Sequence, residues 1–338
     1  MNRVQQLQTT VDALAARGKG ILAADESSPT IAKRFDAIGV ESTEEKRRVY
    51  RSLLLATPGL GEFISGVILF EETLGQCDDN GVPIPELLVN QGIVPGIKVD
   101  KGKIPLEGGE LGDEITVGLE GLAERLDGYK KQGARFAKWR DVYTICQHTP
   151  SQLAIDENAR VLARYAKVCQ QAGIAPIVEP EVLMDGDHTI EQCAKVTEAV
   201  QHAVFQALVQ EGVSLEHMLL KPNMIVPGKD CEKHATSEEI ARETVKFLRR
   251  TVPAAVPSIH FLSGGLSDEV STEYLNAMNQ IGPHPWELSF SYGRALQHPA
   301  LIAWKGNTGN AKQMQAALYK RAKLNSMARY GQYTPDME

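Results

Sequence analysis

Short apolar, β-rich runs recur along this chain, and each gives way to a longer polar segment with helical periodicity. The runs are ILAAD ending at Asp25, GVILF ending at Phe70 and GIKV ending at Val99, then RFAKW, PIVEPEV, HMLLKPN, SIHFLSGG and ELSFSYG. The intervening periodicity predicts helices over 43–56, 113–132, 151–172, 190–210, 237–250 and 268–280. Thr43 and Ser237 stand where caps belong, Ser237 with Glu238 and Glu239 in the first turn behind it. Strict alternation of strand and helix predicts parallel βαβ units, and eight of them predict an α/β fold of the closed (β/α)8, or TIM barrel, type. An amphipathic segment over 1–17 and a long helix over 307–330 extend it at either end, and no linker or repeat divides residues 1–338 into more than a single domain. The competing open, doubly wound sheet would carry a glycine-rich turn after its first strand, and no GxGxxG or GxxxxGK[ST] occurs.

Composition narrows the partners. The formal net charge of -7 disfavours nucleic acid and anionic membrane, leaving small molecules. Five scattered cysteines without a CxxC pair suggest reduced thiols, and eight histidines without paired ligand spacing suggest neither a metal site nor a zinc peptidase. The amino-terminal segment lacks a signal-type apolar core, and Asp12 with no serine-rich stretch argues against a transit peptide, so a cytoplasmic location is expected.

The informative residues are charges in strands that should be apolar. Every second residue of a barrel strand points inward. Lys98 in GIKVD, Lys138 in FAKWR and Lys221 in LLKPN are inward candidates near strand ends, Glu179 and Glu181 share one face of VEPE, and Asp25 closes the first run. Any one of them reads most simply as a solvated or structurally paired charge. Together they read as a polar centre at the barrel mouth, because three buried ammonium groups need carboxylate partners. A desolvated lysine there can attack a carbonyl to give an iminium, which accepts the electrons of a breaking carbon–carbon bond while Glu179, Glu181 or Asp25 moves protons. Position alone does not choose among the three lysines.

The seventh run ends in FLSGG and the eighth in FSYGR, supplying Ser263, Gly264, Gly265, Ser291, Gly293 and Arg294. The loops after those strands are the frequent phosphate site of this barrel, and glycine amides, hydroxyls and a guanidinium suit an anion. A second anion site is predicted at Ser27, Thr30, Lys33 and Arg34 with Lys98 nearby, although DESSPTIAKR also reads as a helix cap followed by a solvated basic turn. Arg140 of FAKWR is a further candidate substrate contact.

In order and spacing, GKGILAADES, GVILFEETL, GIKVDKG, FAKWR, PIVEPE, LLKPNM, FLSGG and FSYGRALQ resemble the motifs of the class I fructose-bisphosphate aldolases over nearly the whole chain. The resemblance implies a homotetrameric barrel that cleaves fructose 1,6-bisphosphate reversibly, without metal or other cofactor, into dihydroxyacetone phosphate and glyceraldehyde 3-phosphate. It further implies that Lys221 forms the Schiff base and Glu179 handles carbinolamine dehydration. Lys138 then supports charge development, Asp25 acts on the hydroxyl of the cleaved bond, and Glu181 tunes the network. Ser263, Gly264, Gly265, Ser291 and Arg294 match the phosphate site on the ketone side, and Ser27, Arg34 and Lys98 match contacts that include the other phosphate.

Thr30 stands where many members have serine, which keeps the hydroxyl. Many members also continue well past the YTP segment to a terminal tyrosine that reaches the active site, whereas this sequence ends at Glu338. Any proton transfer or product release assisted by that tail is expected to be managed differently here, or more slowly, unless the sequence is a shortened one. Other readings are a lysine aldolase for a singly phosphorylated sugar, which the two anion sites disfavour, and a catalytically silent sugar-phosphate sensor, which would not need the amines and carboxylates together.

Overall fold

The apolar runs become strands because each is short and largely buried on both faces, as parallel barrel strands are. A computed structural model describes residues 2–338. Strands β1 (Gly20–Ala24), β2 (Ile64–Leu69) and β3 (Val94–Lys98) are followed by an antiparallel hairpin, β4 (Lys103–Pro105) with β5 (Glu114–Thr116). Then come β6 (Phe136–Tyr143), β7 (Ala175–Val182), β8 (Leu219–Leu220), β9 (Ser258–Phe261) and β10 (Glu287–Tyr292). Without the hairpin, eight strands close in the cyclic order β1-β2-β3-β6-β7-β8-β9-β10, each pair parallel. The (β/α)8 expectation holds.

The helices are α1 (Arg3–Leu14), α2 (Ser28–Asp36), α3 (Glu44–Leu55), α4 (Glu71–Leu74), α5 (Ile84–Val89) and α6 (Leu122–Lys131). They continue with α7 (Gln152–Ala172), α8 (Ile190–Gln210), α9 (Ser237–Thr251), α10 (Asp268–Gln280), α11 (Arg294–Trp304) and α12 (Ala311–Arg329). Two expectations need correction. Residues 113–132 are not one helix: the β-branched run Ile115–Thr116–Val117 pairs in the hairpin, and Gly118 and Gly121, both at positive φ, delay the helix until Leu122. The cap of α9 is Thr236 rather than Ser237, because Thr236 and Glu239 exchange side-chain bonds with each other's backbone N–H. Among the described residues no helix is long and apolar enough to cross a membrane.

The lower barrel is apolar and closed from below. Ile21, Ile68, Phe136, Ile177 and Leu219 meet Leu7, Val11 and Leu14 of α1 in one buried cluster, which explains the amphipathic start of the chain; Met1 lies outside the described residues. Arg329 of α12 locks this end by donating to the carbonyls of Ala16, 2.6 Å away, and Lys19. Burial, then the charge of Arg329, pushes the imidazole of His260 inside the barrel down to about 3, so it is neutral.

The Phe136 ring lies across the floor because its neighbours have no side chains. A Cβ on Gly96 would come within 2.2 Å of the ring, and one on Gly66 within 3.1 Å of it and 2.5 Å of Leu14. Gly96→Ala therefore overpacks the floor and is expected to cost about 1–3 kcal/mol, read as a lower urea midpoint at unchanged slope. A midpoint equal to that of the parent chain would refute this account of the floor.

Candidate active site

Moving two residues at a time up the strands from the apolar floor, the inward face turns from Ala23 to Asp25, from Phe136 to Lys138 and Arg140, from Ile177 to Glu179 and Glu181, and from Leu219 to Lys221. Strand register levels these groups: Lys98 pairs with Lys138, and Arg140 with Glu179. The Lys221 N–H donates to the Val178 carbonyl at 2.8 Å, bringing its side chain beside Glu179.

Four groups form a buried chain of alternating charge. Lys138 Nζ lies 2.8 Å from Asp25 and 3.2 Å from Glu179 Oε2, and Lys221 Nζ lies 2.9 Å from Glu179 Oε1. Asp100, which the sequence reading missed, stands 3.9 Å from Lys138 and takes the ammonium of Lys98. Arg140 Nε donates to Glu181. Burial works against the Lys138 ammonium, but Asp25, Glu179 and Asp100 more than offset it and hold its pKa above the ordinary lysine value. Lys138 is thus held as a cation.

Above this chain opens a cavity of about 820 Å³. Asp25, Ser27, Thr30, Arg34, Lys98, Arg140, Glu179, Glu181, Lys221, Ser263, Gly264, Gly265, Ser291, Gly293 and Arg294 all line it. Lys138 is the exception among the central residues, buried beneath the floor with 3% exposure. Lys33 is not brought in either: it is exposed on the last turn of α2, facing away from the lining. DESSPTIAKR is thus a helix whose amino-terminal end, with Ser27 and Thr30 hydroxyls 3.0 Å apart, borders the cavity.

On the rim Gly264 and Gly265 adopt φ of 54° and 100°, which the close approach of Met184, 3.0 Å from a Cβ at Gly265, also reserves for glycine. Arg294 clasps this turn through the Gly265 and Leu266 carbonyls, the latter at 2.8 Å. The buried Ser291 hydroxyl has no partner within the chain and is available to a ligand. Lys101 and Lys103 of the hairpin segment and Glu26 also line the cavity, and none of the three is a candidate from the sequence. Among the described residues no group of three or more His, Cys, Asp or Glu side chains is arranged to hold a metal ion.

A (β/α)8 barrel with amines and carboxylates interleaved at the carboxyl ends of its strands defines a barrel enzyme equipped for proton transfer at a carbonyl. The chain belongs to the class-I fructose-bisphosphate aldolase family, whose model (Glycolytic: Fructose-bisphosphate aldolase class-I) matches residues 6–338. That family catalyses the reversible cleavage of fructose 1,6-bisphosphate, a lyase reaction. The chain is 53% identical to a Xanthomonas campestris protein described as "Probable fructose-bisphosphate aldolase class 1", over 98% of this chain and 99% of that one. It is 54% identical to fructose-bisphosphate aldolase 1 of Toxoplasma gondii, covering 97% and 91% of the two chains. A solved structure of Plasmodium falciparum fructose-bisphosphate aldolase, in complex with TRAP and a small molecule inhibitor, superimposes with a TM-score of 0.97 at 52% identity over 98% of this chain and 96% of that chain.

Burial alone would raise the pKa of Asp25, yet Lys138 and Lys221 override it and lower the group from 3.8 to about 2. A depressed carboxylate stabilises the fold above its unfolded value and loses that contribution as pH falls through the folded one. Asp25 is therefore expected to contribute on the order of 2 kcal/mol above pH 4, vanishing toward pH 2. Urea unfolding of Asp25→Asn between about pH 5 and 2 should show a shallower pH dependence than the parent, and parallel curves would refute the pairing.

Proposed function

We propose that this chain cleaves fructose 1,6-bisphosphate through a Schiff base on Lys221. The observation that carries this reading is the contrast between the lysines: Lys221 lines the cavity with Glu179 at 2.9 Å, Lys138 lies beneath it as a permanent cation, and Lys98 is tied to Asp100.

Lys221 Nζ, after passing a proton to Glu179, attacks the ketose carbonyl carbon. Glu179 returns a proton to the carbinolamine hydroxyl, water leaves and an iminium forms. The hydroxyl proton at the bond to be cleaved passes to Asp25, the carbon–carbon bond breaks, and its electron pair flows to the iminium nitrogen to leave an enamine and the aldehyde product. Protonation of the enamine and hydrolysis of the resulting imine release the ketone phosphate and free Lys221. Lys138 steadies both carboxylates throughout, because its ammonium contacts Asp25 and Glu179 whichever of them holds the proton. Glu181 is oriented by Arg140 beside this centre.

The Gly264–Gly265 turn, Ser263, Ser291, Gly293 and Arg294 receive the phosphate on the ketone side, and Ser27, Thr30, Arg34 and Lys98 the phosphate at the other end. Both sets line the same cavity as Lys221, which supports a doubly phosphorylated substrate. Family membership further supports a homotetramer acting in the cytoplasm, where glycolysis takes place; light scattering should give four times the mass of one chain.

Borohydride added with dihydroxyacetone phosphate should fix a stable adduct on the peptide containing Lys221, and an adduct on Lys98 or Lys138 instead would overturn the assignment. Glu179→Gln should slow kcat by about a hundred- to ten-thousand-fold. A variant within threefold of the parent would remove Glu179 from the proton-transfer steps.

A further inference from the structure

Glu26 follows Asp25 in the chain, and its side chain, only 5% exposed, is buried at the rim of the cavity. It plays no part in the proton transfers above. Its Oε1 accepts from Arg34 Nη1 and from Gln297 Nε2 at 2.7 Å. Gln297 is itself fixed, donating to the Ala23 carbonyl at 2.6 Å and accepting from the Tyr50 hydroxyl at 3.1 Å. Arg51 backs the same residue, donating to the Glu26 carbonyl at 2.6 Å and lying 3.8 Å from Oε2. Arg51 is fully buried, whereas Arg34, with a quarter of its side chain exposed, lines the cavity. One carboxylate thus holds an inner guanidinium as framework and aims an outer one at the ligand.

We infer that Glu26 is a positioning residue that makes the site selective for sugars phosphorylated at both ends, by fixing the Arg34 guanidinium where the phosphate farther from the Gly264–Gly265 turn must lie. The inference rests on the aldolase reading, which supplies the second phosphate. A guanidinium gripped on one side presents its remaining N–H groups as an oriented fork, and phosphate recognition depends on that orientation. Released, Arg34 would have to surrender its rotamer freedom on binding, a penalty confined to ligands that use it.

The test is calorimetric binding of two unreactive polyols, hexitol 1,6-bisphosphate and hexitol 1-phosphate, to the parent, Glu26→Gln, Arg34→Ala and the double variant. Glu26→Gln should lower the ratio of bisphosphate to monophosphate affinity by about tenfold. In the Arg34→Ala background it should lower the ratio no further, since the effect passes through Arg34. An unaltered ratio, equal losses on both ligands, or an undiminished effect without Arg34 would each overturn the inference. Because Glu26→Gln leaves Arg51 with a weaker partner, Gln297→Leu serves as a second variant that keeps the buried charge pair and should shift the ratio in the same direction by less. These polyols bind without forming a Schiff base, so failure of the Lys221 trapping experiment and failure of this inference are separate results.

Discussion

The structure depends above all on the carboxylate of Glu179, which stands between two ammonium groups in a part of the barrel that water barely reaches. Burying a lysine is unfavourable unless an opposite charge accompanies it, and removing one partner of such a pair costs on the order of 3–5 kcal/mol. Asp25, Lys138, Glu179 and Lys221 therefore justify one another: each ion is tolerated because the next is present. The register of β6 against β7 brings Arg140 level with Glu179, and the hydrogen bond from Lys221 to Val178 sets the remaining contact. The chemistry of the mouth and the closure of the barrel are thus set by the same hydrogen-bond ladder.

Much of this was legible in the residues. Eight strands announce themselves as apolar runs, and inward charges at two-residue steps announce the mouth, because strand geometry leaves a side chain only two directions. The hairpin was not legible. Asp113 and Glu114 resemble a helix start, and only the β-branched run and the glycines behind them favour pairing against β4. Asp100 and Glu26 escaped notice because each lies just past the end of its strand, where alternation ceases to predict direction. The distinction between Lys138 and Lys221 was hidden for another reason: it depends on how many carboxylates surround each amine, and those arrive from different strands.

Floor and rim are built on different principles. The floor of the cavity, one layer above the apolar base of the barrel, relies on fixed charges held by strands, and Lys138 is sealed below the surface a ligand touches. The rim relies on turns and helix starts, with glycines at positive φ on one side and the first turn of α2 on the other. A ligand contacting the rim meets groups whose arrangement reflects local backbone geometry.

Arg329 ties the last long helix to the carbonyls of Ala16 and Lys19, and α1 fills the base of the barrel with Leu7, Val11 and Leu14. The two ends of the sequence therefore meet in a single contact more than three hundred residues apart along the chain. In chain order the plug therefore precedes its clasp by more than three hundred residues. The strand residues that bury the α1 plug run only as far as Leu219, so the plug's partners are all in place well before the residue that clasps this end.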